Sequence, residues 1–188
     1  LARCMSARKP SSDVALQRDW TVFETKWKRL VLALALIGLT GWLAYRSTFS
    51  APFIFDDLPG VVRNSTIRAL WPLDDVLLPR QDTGTSVVGR PVVNLTLALN
   101  YAWGGLAVRG YHVFNLLVHV ASGLLLFAVL RRKWLLPCLR DRFGAAAGSL
   151  ALAVALAWTL HPLQTESVSC VIQRTELLVA FFICSLFL

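Results

Sequence analysis

Residues 111–133 read YHVFNLLVHVASGLLLFAVLRRK, and the reading of this stretch decides the fold. Tyr111 to Leu130 is an uncharged apolar run of membrane-spanning length, closed by Arg131, Arg132 and Lys133. Arg140 and Arg142 follow with a single acid nearby, and such an excess of arginine and lysine after a span marks a cytoplasmic loop. At the helical increment of 100° per residue, His112, Asn115, His119 and Ser122 share a stripe about 80° wide, while Phe114, Leu117, Leu124 and Leu125 take the other faces. Polar groups in a span avoid hydrocarbon, so the stripe is expected to face protein or water. It serves either helix–helix hydrogen bonding or a functional site.

The rest of the chain agrees with a membrane assignment. Apolar residues make up 56% of 188 residues, more than a soluble chain of this size can bury. The formal charge of +8 sits at the ends of apolar runs and not along one soluble face, which argues against a nucleic-acid partner and for topology signals. The four cysteines, Cys4, Cys138, Cys170 and Cys184, have neither metal-ligand nor redox spacing, so no metal site and no disulfide is expected. The expected fold class is all-α, a polytopic transmembrane helical bundle.

Before the anchor stretch, residues 1–29 form a basic polar tail expected to stay cytoplasmic, and Leu30 to about Phe49 reads as an uncleaved first span. The following segment, residues 50–110, is then external. At about 60 residues it is long for a connection without function. Within it, IRALWPLDDVLLP (67–79) predicts short interfacial helices broken at Pro72 and Pro79 with Trp71 at headgroup depth, and Gln81–Gly89 predicts a loop. Pro91 to Trp103 predicts an amphipathic helix with Arg90 just outside. Asn64-Ser65-Thr66 and Asn94-Leu95-Thr96 are N-glycosylation sequons on this side.

After the anchor stretch, Ala145–Leu160 predicts a third span ending at His161-Pro162. Residues 163–174 predict a helix aligning Glu166, Ser169, Gln173 and Glu176 on one stripe, of which Glu166, Ser169 and Gln173 are expected to face the protein interior, and Leu177–Leu188 opens a fourth span. The chain opens on Leu1 and stops inside this apolar run, so it is expected to be a truncated piece. Three crossings put Asp56, Asp57, Arg90, His112, His161, Glu166, Arg174 and Glu176 on one side of the membrane.

APFIFDDLP (51–59) supplies the densest chemistry there. Adjacent carboxylates repel, and a site keeping both ionised needs a cation, a donor or a shared proton, as a general base would have; the other reading is a plain Asp-Asp-Leu-Pro turn. FDDLPGVVRN, GRPVVNLTLALNYAWGG, YHVFNLLVH and HPLQTESVSCVIQRTELL, in this order, resemble the membrane domains of transmembrane, tetratricopeptide-repeat-containing O-mannosyltransferases and their bacterial relatives, which are GT-C glycosyltransferases. The matches run from about Phe53 to Leu188.

The resemblance implies a GT-C-like fold, a polyprenyl-phosphate-linked sugar as donor, and a protein or glycan hydroxyl as acceptor. It puts the acidic catalytic pair on Asp56 and Asp57, with Asp56 the favoured base. Arg90 or Arg174 would hold the donor phosphate, Glu166 or Glu176 would orient acceptor or sugar, and His112, Asn115, His119 and His161 would be supporting polar groups. No cofactor is required on this reading, because an arginine fork can neutralise a departing phosphate without a divalent metal. Tetratricopeptide repeats often follow in such proteins, but no repeat of 34-residue period occurs in the chain. Two other classes compete. A transporter would need ionisable groups near the bilayer midplane, whereas here they lie at helix ends. A noncatalytic polytopic anchor for a tetratricopeptide-repeat interaction domain would leave the acidic pair without a chemical role.

Overall fold

The computed structural model describes residues 12–78 and 87–188, and all their regular structure is helical. The described residues up to Leu36 form one unit and Ile37–Leu188 another. Helix α1 (Ser12–Tyr45) begins well before the expected Leu30, so the second half of the basic tail is helical and not irregular. No proline interrupts the sequence between Pro10 and Pro52, and nothing local therefore stops the helix before the apolar run begins. A 3-10 turn (Arg46–Ser50) closes the run.

Three segments are long and apolar enough to cross a membrane: Leu30–Ser50, Val108–Trp134 and Pro137–Thr159. The chain is an all-α polytopic membrane protein. Helix α4 (Val108–Trp134) is the central one, packing on α6 (Ala147–Thr159), α8 (Arg174–Leu186) and the 3-10 turn. Its 27 residues span about 40 Å at the helical rise. Its last turn carries Arg131, Arg132 and Lys133, which oppose the negative end of the helix dipole. Short helix α5 (Pro137–Phe143) starts with proline in its first turn and leads into α6.

Side chains within the unit explain the packing. His112, Asn115, His119 and Ser122 are fully buried, as the stripe predicts, while Val113 and Leu117 on other faces are exposed. The carbonyl of Thr159 accepts two hydrogen bonds, from the Tyr45 hydroxyl at 3.1 Å and from the His119 ring at 2.9 Å, which ties α1, α4 and α6 together. The His119 ring also stacks on Trp158 and meets Tyr45 edge-on. A Cβ at Gly123 would lie 2.5 Å from the Thr159 hydroxyl and 3.3 Å from Ile37, so this crossing needs glycine for its close approach.

Residues 51–107 are more than interfacial pieces. Short helix α2 (Leu73–Leu77) and a 3-10 turn (Ser65–Ile67) pack on α3 (Pro91–Gly104), and Val61, Ile67, Val76, Val87 and Leu97 share one core. Pro72 caps α2 instead of breaking a helix. Pro79 and most of the expected loop lie outside the described residues.

The sequon asparagines organise this core. Asn64 donates to the Gly60 carbonyl and to Asn94 Oδ1, both at 3.0 Å, and Asn94 donates to Thr66 Oγ1 at 2.9 Å and to the Val76 carbonyl at 2.7 Å. Both side chains are buried. They hold three backbone segments together and present no amide to solvent.

One expectation fails outright. The helix predicted over 163–174 is broken: α7 (Gln164–Ser169) ends at Cys170, whose backbone is extended, and a 3-10 turn (Val171–Gln173) leads into α8. The stripe of Glu166, Ser169, Gln173 and Glu176 is not continuous, and Glu166 and Glu176 are exposed. The reason is a set of contacts from Asp57 and Asn115 that draws the backbone of residues 170–172 out of helical geometry, described next.

Candidate active site

The site is built where the loop after the first span meets the start of α8. Phe55 adopts a left-handed backbone, φ 45°, directly before the acidic pair. For a bulky residue this conformation costs about 1–3 kcal/mol and is held only by surrounding structure. Around it, the Asp57 amide bonds to the Ile54 carbonyl at 2.9 Å and the Leu58 amide to the Phe55 carbonyl at 3.1 Å. This turn gives the two aspartates opposite fates.

Asp57 turns inward and is fully buried. Its Oδ1 accepts the Ile172 amide at 2.8 Å and the Cys170 thiol at 3.4 Å, while Oδ2 accepts the Ile54 amide at 3.4 Å. Burial first, and the nearby Asp57 charge second, push the Cys170 thiol up to about 11. Asp56 turns outward and is exposed. The pair is therefore not a proton-sharing dyad but one fixed carboxylate and one available carboxylate.

Arg174 is wholly buried at the start of α8. Its Nε donates to Asn115 Oδ1 at 2.9 Å, Nη1 to Thr96 Oγ1 at 3.3 Å, and Nη2 to the Tyr111 carbonyl at 3.2 Å. The guanidinium also lies 4.2 Å from the ring centroid of Phe114. Burial pulls its pKa down to about 9, against which the Asp57 charge works, so the group stays a cation at neutral pH. Asn115 in turn donates to the Cys170 and Val171 carbonyls, both at 3.3 Å. Asp57 and Asn115 thus grip the same three-residue break from two sides.

Arg90, by contrast, is exposed at the start of α3 and donates to Thr175 Oγ1 at 3.2 Å, one residue from Arg174 and next to Glu176. His112 donates from Nε2 to the Ala51 carbonyl at 3.1 Å, because a carbonyl can only accept; its Nδ1 is then bare, and buried without a partner. His119 has the same tautomer for the same reason, with the Thr159 carbonyl as acceptor. His161 is exposed, with Nδ1 accepting the Leu163 amide at 3.2 Å, so a neutral ring carries its proton on the outward Nε2.

The structure therefore joins Asp57, Asn115 and Arg174 to one another through residues 170–174, and Arg90 to the same helix start. Glu166 and Glu176 lie on either side of the break, while His119 belongs to the helix crossing and not to this cluster. Arg174 is wholly buried, with one N–H of each of Nε, Nη1 and Nη2 donating into the protein, whereas Arg90 is exposed. Thr96, Tyr111, Phe114, Cys170 and Thr175 were not singled out from sequence. Tyr111 and Thr96 carried the only usable signal, standing within one helical turn of Asn115 and Asn94 in the quoted stretches. Among the described residues no three of His, Cys, Asp and Glu gather closely enough to hold a metal ion.

Comparison with known proteins agrees with the motifs. The chain is 32% identical over 153 residues, 76% of its length, to protein O-mannosyl-transferase Tmtc1 of Drosophila melanogaster. It is 30% identical over 83% of its length to protein O-mannosyl-transferase TMTC4 of Homo sapiens, and 29% identical over 79% to protein O-mannosyl-transferase F38B6.6 of Caenorhabditis elegans. The aligned part is 16%, 22% and 21% of those relatives, so the chain spans about a fifth of their length. No family model and no solved structure matches it.

Proposed function

From this kinship with proteins named protein O-mannosyl-transferases, we propose that the chain is the acid-bearing part of a GT-C-type membrane glycosyltransferase. It moves a sugar, on this reading mannose, from a polyprenyl-phosphate donor to a protein hydroxyl on the non-cytoplasmic side. The observation that carries the reading is the exposed Asp56 beside the buried, immobilised Asp57. A general base must reach its proton and be held in place, and these two neighbours divide those tasks.

In the proposed reaction Asp56 takes the proton of the acceptor hydroxyl as its oxygen attacks the anomeric carbon. The bond from that carbon to the donor phosphate breaks, and the lipid phosphate leaves as a monoester. Arg90 is the exposed guanidinium suited to the developing phosphate charge. Arg174 acts from within, fixing α8 so that Thr175 meets Arg90 and Glu176 stands at the surface to orient acceptor or sugar. Glu166 is the other carboxylate available for that task.

The activity test is mannose transfer from polyprenyl-phosphate mannose by the purified full-length protein. Asp56→Asn is expected to lower turnover by about 10² to 10⁴, the usual worth of general-base help, with unchanged thermal stability. Unchanged turnover in a well-folded Asp56→Asn protein would remove the base assignment. Sidedness has its own test, because the exposed Cys138 lies on α5, at the beginning of the third candidate span and within the basic stretch that follows α4. A membrane-impermeant maleimide should reach Cys138 only from the cytoplasmic face, and labelling from the other face would invert the topology.

A further inference from the structure

We propose that Phe55 is a bilayer contact that seats the acidic loop at headgroup depth. Within the tetrapeptide Phe53–Asp56, Phe53 packs edge-on against Tyr111 at 5.4 Å between ring centroids, whereas Phe55 is 84% exposed. Ile54 and Leu58 beside it are exposed as well. Three large apolar side chains within five residues therefore face outward from a loop whose carboxylate Asp57 is buried, the reverse of what an aqueous turn would do.

Backbone strain gives this exposure a cause. The fold maintains φ 45° at Phe55, a conformation disfavoured for a bulky residue, and the result is an outward ring directly before the outward Asp56. The occupant follows from where the loop is tied. It begins one residue after the first candidate span ends at Ser50, and the His112 ring near the start of α4 holds the Ala51 carbonyl at 3.1 Å. The α4 face carrying Val113 and Leu117 is exposed and apolar, as a lipid-facing span requires. A ring exposed at the joined ends of two spans lies in the interfacial zone, where aromatic side chains are favoured. The contact stands whether or not the chain transfers sugar. If it does, the ring sets the depth of Asp56 relative to a lipid-borne donor.

The experiment replaces Phe55 with p-benzoylphenylalanine in the full-length protein, reconstitutes it in phosphatidylcholine vesicles with a radiolabelled phospholipid, and counts lipid adducts after irradiation. The same probe at Leu117 gives the lipid-facing reference, and at exposed Asp75 the water-facing one. A yield at position 55 several-fold above position 75 and approaching position 117 is the expected result. A yield no higher than at position 75 overturns the contact, as does an adduct at position 55 formed with another part of the protein in place of lipid. Thermal stability of each variant, measured alongside, identifies a misfolded sample, and Phe55→Trp with brominated lipids supplies a second reading: fluorescence quenching above the wild-type background is expected, and none overturns the proposal.

Discussion

Asp57 Oδ1 accepts the backbone amide of Ile172 at 2.8 Å across a sequence separation of 115 residues. That bond, with the Cys170 thiol on the same oxygen, fixes the acidic loop to the break between α7 and α8. Asp57→Asn keeps the shape but removes the charge from a buried acceptor, and should cost about 1.5–3 kcal/mol of stability. Thermal or denaturant unfolding of the purified protein measures it. Asp56→Asn, at an exposed position, should stay within about 0.5 kcal/mol of wild type.

Arg174 is the deepest cation of the site, and its loss should register as instability. Arg174→Met leaves Asn115 Oδ1 without its donor, at about 1–3 kcal/mol for a buried group left unpaired, and removes the second hydrogen bond on the Tyr111 carbonyl, which the backbone of α4 still pairs. Arg174→Lys should recover only part of this, because one ammonium cannot reproduce three separate N–H directions. Unfolding midpoints of the two variants check the order wild type, lysine, methionine.

The sequons should remain unmodified in the folded protein. Expression in cells that glycosylate should give a band whose mobility endoglycosidase does not change, because Asn64 and Asn94 are buried and spent on one another. Asn94→Gln lengthens the side chain inside the Gly60, Thr66 and Val76 network and should destabilise by about 1–3 kcal/mol.

Thiol chemistry separates two cysteines. Alkylation needs the thiolate, and a Cys170 pKa of about 11 keeps that group protonated at pH 8, whereas Cys138 is exposed. Cys138 should react first by a wide margin. The Cys170 rate should climb as pH rises towards 11, and the Asp57→Asn variant should bring that climb to lower pH by removing a charge that opposes ionisation. Site-resolved mass spectrometry of alkylated peptides across pH 7–10 reads both effects.

Spans and the inward stripe of α4 were legible because hydropathy and a 100° increment are local properties of sequence. Leu30–Ser50 and Val108–Trp134 emerge nearly where hydropathy puts them. The fate of Asp56 and Asp57 was not legible, since it turns on one backbone angle at Phe55 that no residue preference announces. Nor was the break at Cys170. Glu166, Ser169 and Gln173 have helical spacing, and a helix was the sound local reading until Asp57 and Asn115, distant in sequence, claimed the backbone groups of residues 170–172. Nor was the burial of Arg174 legible, which depends on acceptors from α3 and α4 converging on it.

The single carbonyl of Thr159 that receives both Tyr45 and His119 also dictates a timetable for biogenesis. During synthesis the first and second spans emerge with these two donors before the carbonyl that joins them has been made. The acceptor arrives only with the last residue of the third span. Pairing of both donors therefore waits on the third span, and the junction of α1, α4 and α6 closes only once residue 159 has been delivered.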